Sequence, residues 1–167
     1  AEKVDVNKKY KCLVLSDKIS QFDYNAGEMI SLVIPTASRL YRKFTMEDLP
    51  EWYIKSIVGD FPSQIIITSY GYAHYIPQVM SAYRVGVKNS ATFSLADGQE
   101  NQIRNQKGRL KMYDNINSFL EYKYDYIFKQ MKRESEFALM YLNGEIKNIK
   151  KEEFRELYRK LSLKNRI

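Results

Sequence analysis

Three consecutive isoleucines open the run Ile65-Ile66-Ile67-Thr68-Ser69-Tyr70. Such a density of β-branched residues suits a strand covered on both faces, so residues 65–70 are expected to form the central strand of a sheet. Other segments extend the pattern. Residues 10–16 alternate well enough for a strand. Residues 29–34, Met-Ile-Ser-Leu-Val-Ile, form a second apolar run that ends at Pro35. The stretch Asp23-Tyr24-Asn25-Ala26-Gly27 supplies turn chemistry between them, which predicts an antiparallel pair. A short buried helix is the alternative over residues 29–34, but β-branching and length favour a strand. Residues 82–87 and 91–95 read as strands joined through Lys88-Asn89-Ser90, the second closed by Asp97-Gly98. Residues 73–83 lean toward helix, because Pro77 counts against an uninterrupted central strand.

Helix signals are fewer. Asp48-Leu49-Pro50-Glu51 has a capping-box pattern with a proline in the first turn, and Gly59 marks the end, so a helix is expected over residues 49–58. Asp114 caps a short helix over residues 114–123 carrying Ile116, Phe119 and Leu120. Phe154, Leu157, Tyr158 and Leu161 make an i, i+3, i+4, i+7 stripe on a last helix over residues 151–163, with Glu156 and Lys160 paired on its wet face. Between the last two, Tyr124, Tyr126 and Phe128 are spaced by two. Residues 124–131 and 137–142 are therefore expected as a β-hairpin turning at Lys132-Arg133-Glu134-Ser135 and stopping at Asn143-Gly144. Residues 99–109 contain a single strong apolar residue, Ile103, and read as an exposed loop. The fold class expected is α+β, a mainly antiparallel sheet with about three packed helices. Length and the lack of a Pro, Gly or Ser-rich linker predict a single domain over residues 1–167, with a subdivision near residue 100 as the one candidate boundary.

Charge is unevenly spread. Residues 1–100 hold 11 Lys/Arg and 11 Asp/Glu, whereas residues 101–167 hold 16 and 9, so the whole net charge of +7 belongs to the C-terminal part. This points either to a solvated basic surface or to a face for nucleic acid, anionic lipid or an acidic partner. Arg104, Lys107, Arg109 and Lys111 lead toward Tyr113, and Lys123, Lys129, Lys132 and Arg133 flank Tyr122, Tyr124 and Tyr126. Basic side chains interleaved with aromatics are what binding to an anionic polymer requires. The 14 tyrosines fit either the edges of a sheet core or a contact surface.

The chemical constellations are sparse. The only cysteine, Cys12, lies in an apolar run and excludes an intrachain disulfide and a Cys-based zinc site. Asp23-Tyr24-Asn25-Ala26-Gly27 approaches a calcium loop, but its glycine comes one place early and the twelfth position is Ile34 where a bidentate Glu is needed. Neither a phosphate-binding glycine loop nor a G-x-S-x-G elbow is present, so no metal, cofactor or catalytic residue is expected. The only histidine, His74, sits in the aromatic cluster Tyr70, Tyr72, Tyr75, which is the first binding site to test and the one place to seat an enzyme. No run approaches the length of a membrane span, so the expectation is a soluble chain. A start at Ala1-Glu2-Lys3 fits a mature end left by signal-peptide removal or the edge of a longer chain.

The C-terminal third resembles segments of small, uncharacterised exported bacterial proteins. The features that carry this are a polar loop, an Asp-led helix at residues 114–122, an aromatic strand at 126–128, and the closing Leu142-Asn143-Gly144-Glu145-Ile146 followed by Lys150-Lys151 and an amphipathic helix. The resemblance implies a periplasmic or secreted location and no known activity. The function expected first is a non-enzymatic binding or interaction domain of such an exported protein, with a protein or an anionic polymer as partner. The alternatives are nucleic-acid or anionic-polymer binding through the basic third, and an enzyme built around His74.

Overall fold

The computed structural model describes residues 3–7, 10–13, 21–32, 34–42, 49–78 and 98–161, the first two segments by their backbone alone. It overturns the expected sheet architecture. Among the described residues the chain is mostly helical, and its strands form only two-stranded pairs. β1 (Lys3–Asn7) runs antiparallel to β2 (Tyr10–Leu13), with Val4 opposite Cys12 and an irregularity between Val4 and Asn7. β3 (Asp23–Tyr24) pairs antiparallel with β4 (Ala73–His74), so the pairing expected between residues 10–16 and 29–34 does not form. The helices are α1 (Ala26–Ile30), α2 (Glu51–Ile54), α3 (Asp60–Ser69), α4 (Gln99–Phe119), α5 (Asp125–Leu142), α6 (Ile146–Ile149) and α7 (Arg155–Lys160). The strands expected over residues 82–87 and 91–95 lie outside the described residues.

The isoleucine run is the centre of α3. Asp60 stands in its first turn, where a carboxylate complements the helix dipole, and Pro62 occupies a position that needs no N–H. Ile65 and Ile66 are both fully buried, beside the buried Pro62, Gln64 and Thr68. The density of β-branched residues therefore reflects burial on a wide helical arc and not a strand covered on both faces, since tertiary context overrides intrinsic preference. Gln64 completes the arrangement: its side-chain amide donates to the carbonyls of Met29 (2.6 Å) and Leu32 (3.0 Å) at the end of α1. The apolar run 29–34 is thus half helix and half capped exit. Its start is set by Asn25, whose side chain accepts from the Glu28 N–H while Glu28 accepts from the Asn25 N–H, a reciprocal capping box. The Glu28 carboxyl is held below its usual range by that backbone bond and by the Gln21 amide.

The predicted loop 99–109, the short helix 114–123 and the hairpin 124–142 are replaced by a single antiparallel pair of long helices, α4 and α5. Residues 99–109 are rich in Gln, Glu, Arg and Lys, which favour helix even where few apolar residues mark a face. In α5 the spacing of Tyr124, Tyr126 and Phe128 by two is incidental. Tyr124, Ile127, Phe128, Met131 and Ser135 also fit helical spacing, and four of them pack in the core while Ser135 is buried. Asp114 does not cap a helix but lies inside α4, where its carboxylate binds the Lys132 ammonium of α5 at 2.6 Å and holds that ammonium above its usual range. Asn117 donates to Asp125 across the same interface at 2.9 Å.

Both long helices end in the same way. After α5 the Gly144 N–H donates to Tyr141 and the Glu145 N–H to Met140, with Gly144 in the left-handed region at φ 74°. After α4 the Glu121 N–H donates to Ser118 and the Tyr122 N–H to Asn117, with Glu121 at φ 51°. These are Schellman motifs, one with the usual glycine and one without. A stop does fall at Asn143-Gly144, but it ends a helix and not the expected strand. The features that carried the C-terminal resemblance, a polar loop and an aromatic strand, are both helical.

The main core joins Ile30, Ile65, Met112, Tyr113, Ile116 and Phe128, flanked by Trp52, Ile57 and Phe61. A second cluster, Phe137, Ile149 and Phe154, gathers α6 and the final segment against the end of α5. The expected helix 151–163 is a 3-10 turn at Glu152–Phe154 followed by α7, and Phe154, Leu157, Tyr158 and Leu161 do form its apolar side. The expected helix 49–58 shortens to α2, which starts from Pro50 without a side-chain cap. Among the described residues no helix is long and apolar enough to cross a membrane.

Candidate functional site

From residue 101 to residue 113, α4 carries Arg104, Lys107, Arg109 and Lys111 and no carboxylate. At about 3.6 residues per turn, positions 104, 107 and 111 share one face and position 109 lies on the far side. Over the first face lies the chain that leaves α2. Gly108 makes this approach possible: a Cβ placed there would sit 2.7 Å from Ile57 Cβ and 2.9 Å from Ile57 Cγ1. With no side chain at 108, residues 55–57 rest against α4 and enclose an open cleft of about 320 Å³.

The cleft has an apolar floor of Ile57 and Met112 and a rim of Lys55, Arg104, Lys107 and Lys111, and among the described residues no carboxylate lines it. Lys55 pairs with Glu51 at 3.2 Å, but both are largely exposed, and such a pair contributes little and exchanges readily. Arg104, Lys107 and Lys111 are exposed and have no ion-pair partner among the described residues. Four cations left around one concavity repel each other unless an anion enters. Ser56 also lines the cleft, and its hydroxyl is buried without a hydrogen-bond partner. A buried hydroxyl in that state is costly, and with no exposed surface of its own it does not face a ligand in the cleft.

A second hollow of about 520 Å³ lies between α1 and the start of α5. It is lined by Lys123, Tyr124 and Tyr126 but also by Glu28, so its charge is mixed. Gly27 forms part of its wall, with the Tyr124 ring so close that a Cβ at 27 would fall 2.2 Å from Cε1.

His74, the centre of the expected aromatic cluster, lies at the β3–β4 bridge, where its partners are Asp23 and Phe22 and not the tyrosines beside it in sequence. His74 Nδ1 lies 2.7 Å from Asp23 Oδ1, and the imidazole stacks near Phe22 with ring centroids 6.0 Å apart. Tyr70 and Tyr72 are exposed, and Tyr75 is half-buried with its N–H donating to the Phe22 carbonyl at 2.7 Å. His74 is exposed, and it lines neither of the two hollows described above.

The basic stretch from Arg104 to Arg133 is not one face. Arg104 and Lys107 line the cleft, whereas Arg109 points away and its Nε lies 3.4 Å from Asn105 Oδ1. Tyr124 packs in the core with Lys123 over its ring. Lys129 is bound to Asp125 at 2.6 Å, and Arg133 lies over the Phe154 ring at 5.8 Å. Sequence reasoning missed Lys55 and Ser56, which reach the cleft from another element. It also missed the face shared by residues 104, 107 and 111, which helical spacing would have shown had 99–109 been read as a helix. In comparisons with protein-family models, curated proteins and solved structures, the chain matches none.

Proposed function

We propose that this chain is a non-enzymatic binding domain that holds an anionic polymer in the cleft between α2 and α4. The supporting observation is the composition of that cleft among the described residues: four cations on its rim, three of them without an ion-pair partner, and no lining carboxylate. The His74–Asp23 pair supports an enzyme less well, because a reaction needs an enclosed place beside its base and the exposed His74 lines neither hollow.

The reading is tested by fluorescence anisotropy with labelled heparin, a polyanion free of bases. The wild-type chain is expected to bind at about 50 mM salt and to weaken steeply with added salt, as counterion release requires. Replacing Arg104, Lys107 and Lys111 together by Gln is expected to lower affinity at least tenfold, while Arg109→Gln leaves it within about twofold. Equal weakening by the cleft and control variants would refute the assignment, since charge alone would then explain binding. No binding by the wild type at low salt would refute the function itself.

A further inference from the structure

The shape of the cleft separates the kinds of polyanion that could fill it. Arg104, Lys107 and Lys111 are spread along about 10 Å of the α4 axis, at roughly 1.5 Å per residue. A row of cations of that length matches a chain of repeated negative charges better than a single small anion. The other side of the row is walled by residues 55–57, seated on Gly108 through Ile57. Further along α4, Trp52 of α2 meets Phe119 edge-on, with ring centroids 6.3 Å apart.

That covering counts against a helix read within a duplex groove, and the concavity counts against a flat surface. A helix reads duplex DNA by entering a major groove about 12 Å wide, which one helix of about 10–12 Å diameter fills. Here the cation-bearing face of α4 is shared with a second element, and the two together are too broad to enter. A flat bilayer, conversely, meets the rim but not the apolar floor of Ile57 and Met112 within the concavity. A single nucleic-acid strand is narrow enough to lie along the cleft, presenting successive phosphates to Lys107, Lys111 and Arg104 and sugar edges to the floor.

We infer that the polymer bound in the cleft between α2 and α4 is a single-stranded nucleic acid, held by its phosphodiester backbone and without base recognition. The inference rests on the anion-binding reading above. Among the described residues no aromatic side chain lines the cleft, so they supply no base-stacking platform and sequence preference is expected to be slight. Backbone contact alone also predicts modest affinity and a strong dependence on salt.

The experiment uses the full 167-residue chain. Fluorescein-labelled dT20, U20, a mixed-sequence 20-mer, the matching 20-bp duplex and vesicles containing anionic phosphatidylserine are titrated at several salt concentrations. The single strands are expected to bind within about threefold of one another and at least fivefold more tightly than the duplex. The slope of log affinity against log salt is expected near −2, about −0.7 for each of the three phosphates met by Arg104, Lys107 and Lys111. Lys107→Gln and Lys111→Gln should each flatten that slope by about 0.7, the double Lys→Arg variant should retain it, and Arg109→Gln should not change it.

Three results overturn the inference while leaving anion binding intact: heparin is bound but no oligonucleotide is, the duplex binds as tightly as the single strands, or vesicles displace dT20 by way of the same three residues. A dT20 affinity far above that of the mixed strand would also overturn it, because bases would then be read. If the triple Gln variant binds every one of these probes like the wild type, it is the cleft assignment that fails.

Discussion

Glu121→Gly is expected to stabilise the protein, an unusual direction for a glycine substitution. Glu121 follows the last turn of α4 at φ 51°, a conformation that costs an L-residue with a Cβ roughly 1–2 kcal/mol. Glycine removes that cost, but it adds about 0.5–1 kcal/mol of unfolded-state entropy to be lost on folding. The Glu121 side chain is exposed and makes no hydrogen bond or ion pair among the described residues, so little else changes. The balance favours the variant by about 0.5–1 kcal/mol, which for a chain of this length raises Tm by roughly 1–4 °C. Gly144→Ala is the mirror experiment at the end of α5, where φ is 74° and a Cβ has open space around it. It should lower stability by about 1 kcal/mol through backbone strain alone. Urea unfolding followed by circular dichroism measures both. The result that refutes the reasoning is destabilisation by Glu121→Gly, since a glycine within a helix continuing through residue 121 costs up to about 1 kcal/mol.

The remaining predictions concern the core and the acid limb. Phe128 is fully buried between α4 and α5, so Phe128→Ala should cost about 3–5 kcal/mol in urea unfolding, and a loss below about 1 kcal/mol would contradict its placement. The Glu28 carboxyl has a lowered pKa, so its contribution is present above the ordinary carboxylate value near 4.3 and is lost as pH falls through the lower folded value. Glu28→Gln should therefore lower stability at neutral pH and make no difference at pH 2, as read from thermal melts; an equal deficit at both pH values would assign the effect to packing.

How much of this was legible in the sequence divides along a physical line. Features decided by two or three neighbouring residues were readable: the Asn143-Gly144 stop, the start near Pro50 and the apolar side made by Phe154, Leu157, Tyr158 and Leu161. Features decided by distant partners were not. The isoleucine run reads as a strand until it is known that Ile65 shares one buried core with Ile30 and Ile116, and that Gln64 is occupied in capping α1. The capping box Asn25-Ala26-Gly27-Glu28 was present in plain sequence but read as turn chemistry, because the same residues serve both. In α5 the pattern was ambiguous in itself: three aromatics at period two also satisfy helical spacing once Ile127 and Met131 are counted with them.

The error over residues 99–109 had the largest consequence for function, because it concerned geometry and not composition. As a loop, the segment is a basic stretch in which Arg104, Lys107 and Arg109 are equivalent and any of them could serve a ligand. As a helix it sorts them: 104, 107 and 111 converge on one side, and 109 is turned away toward Asn105. Gly108 then acquires a reason, which is to admit Ile57, and through Ile57 the helix gains the wall that turns a row of charges into a cleft. Lys55 and Ser56 become site residues only at that step, from a segment some fifty positions earlier in the chain. The net charge of the C-terminal part indicated that an anionic partner was worth considering; the helical register and the missing side chain at 108 indicate where it would lie. Substituting Gly108 is accordingly expected to disturb binding without removing any charge, which no account based on charge alone predicts.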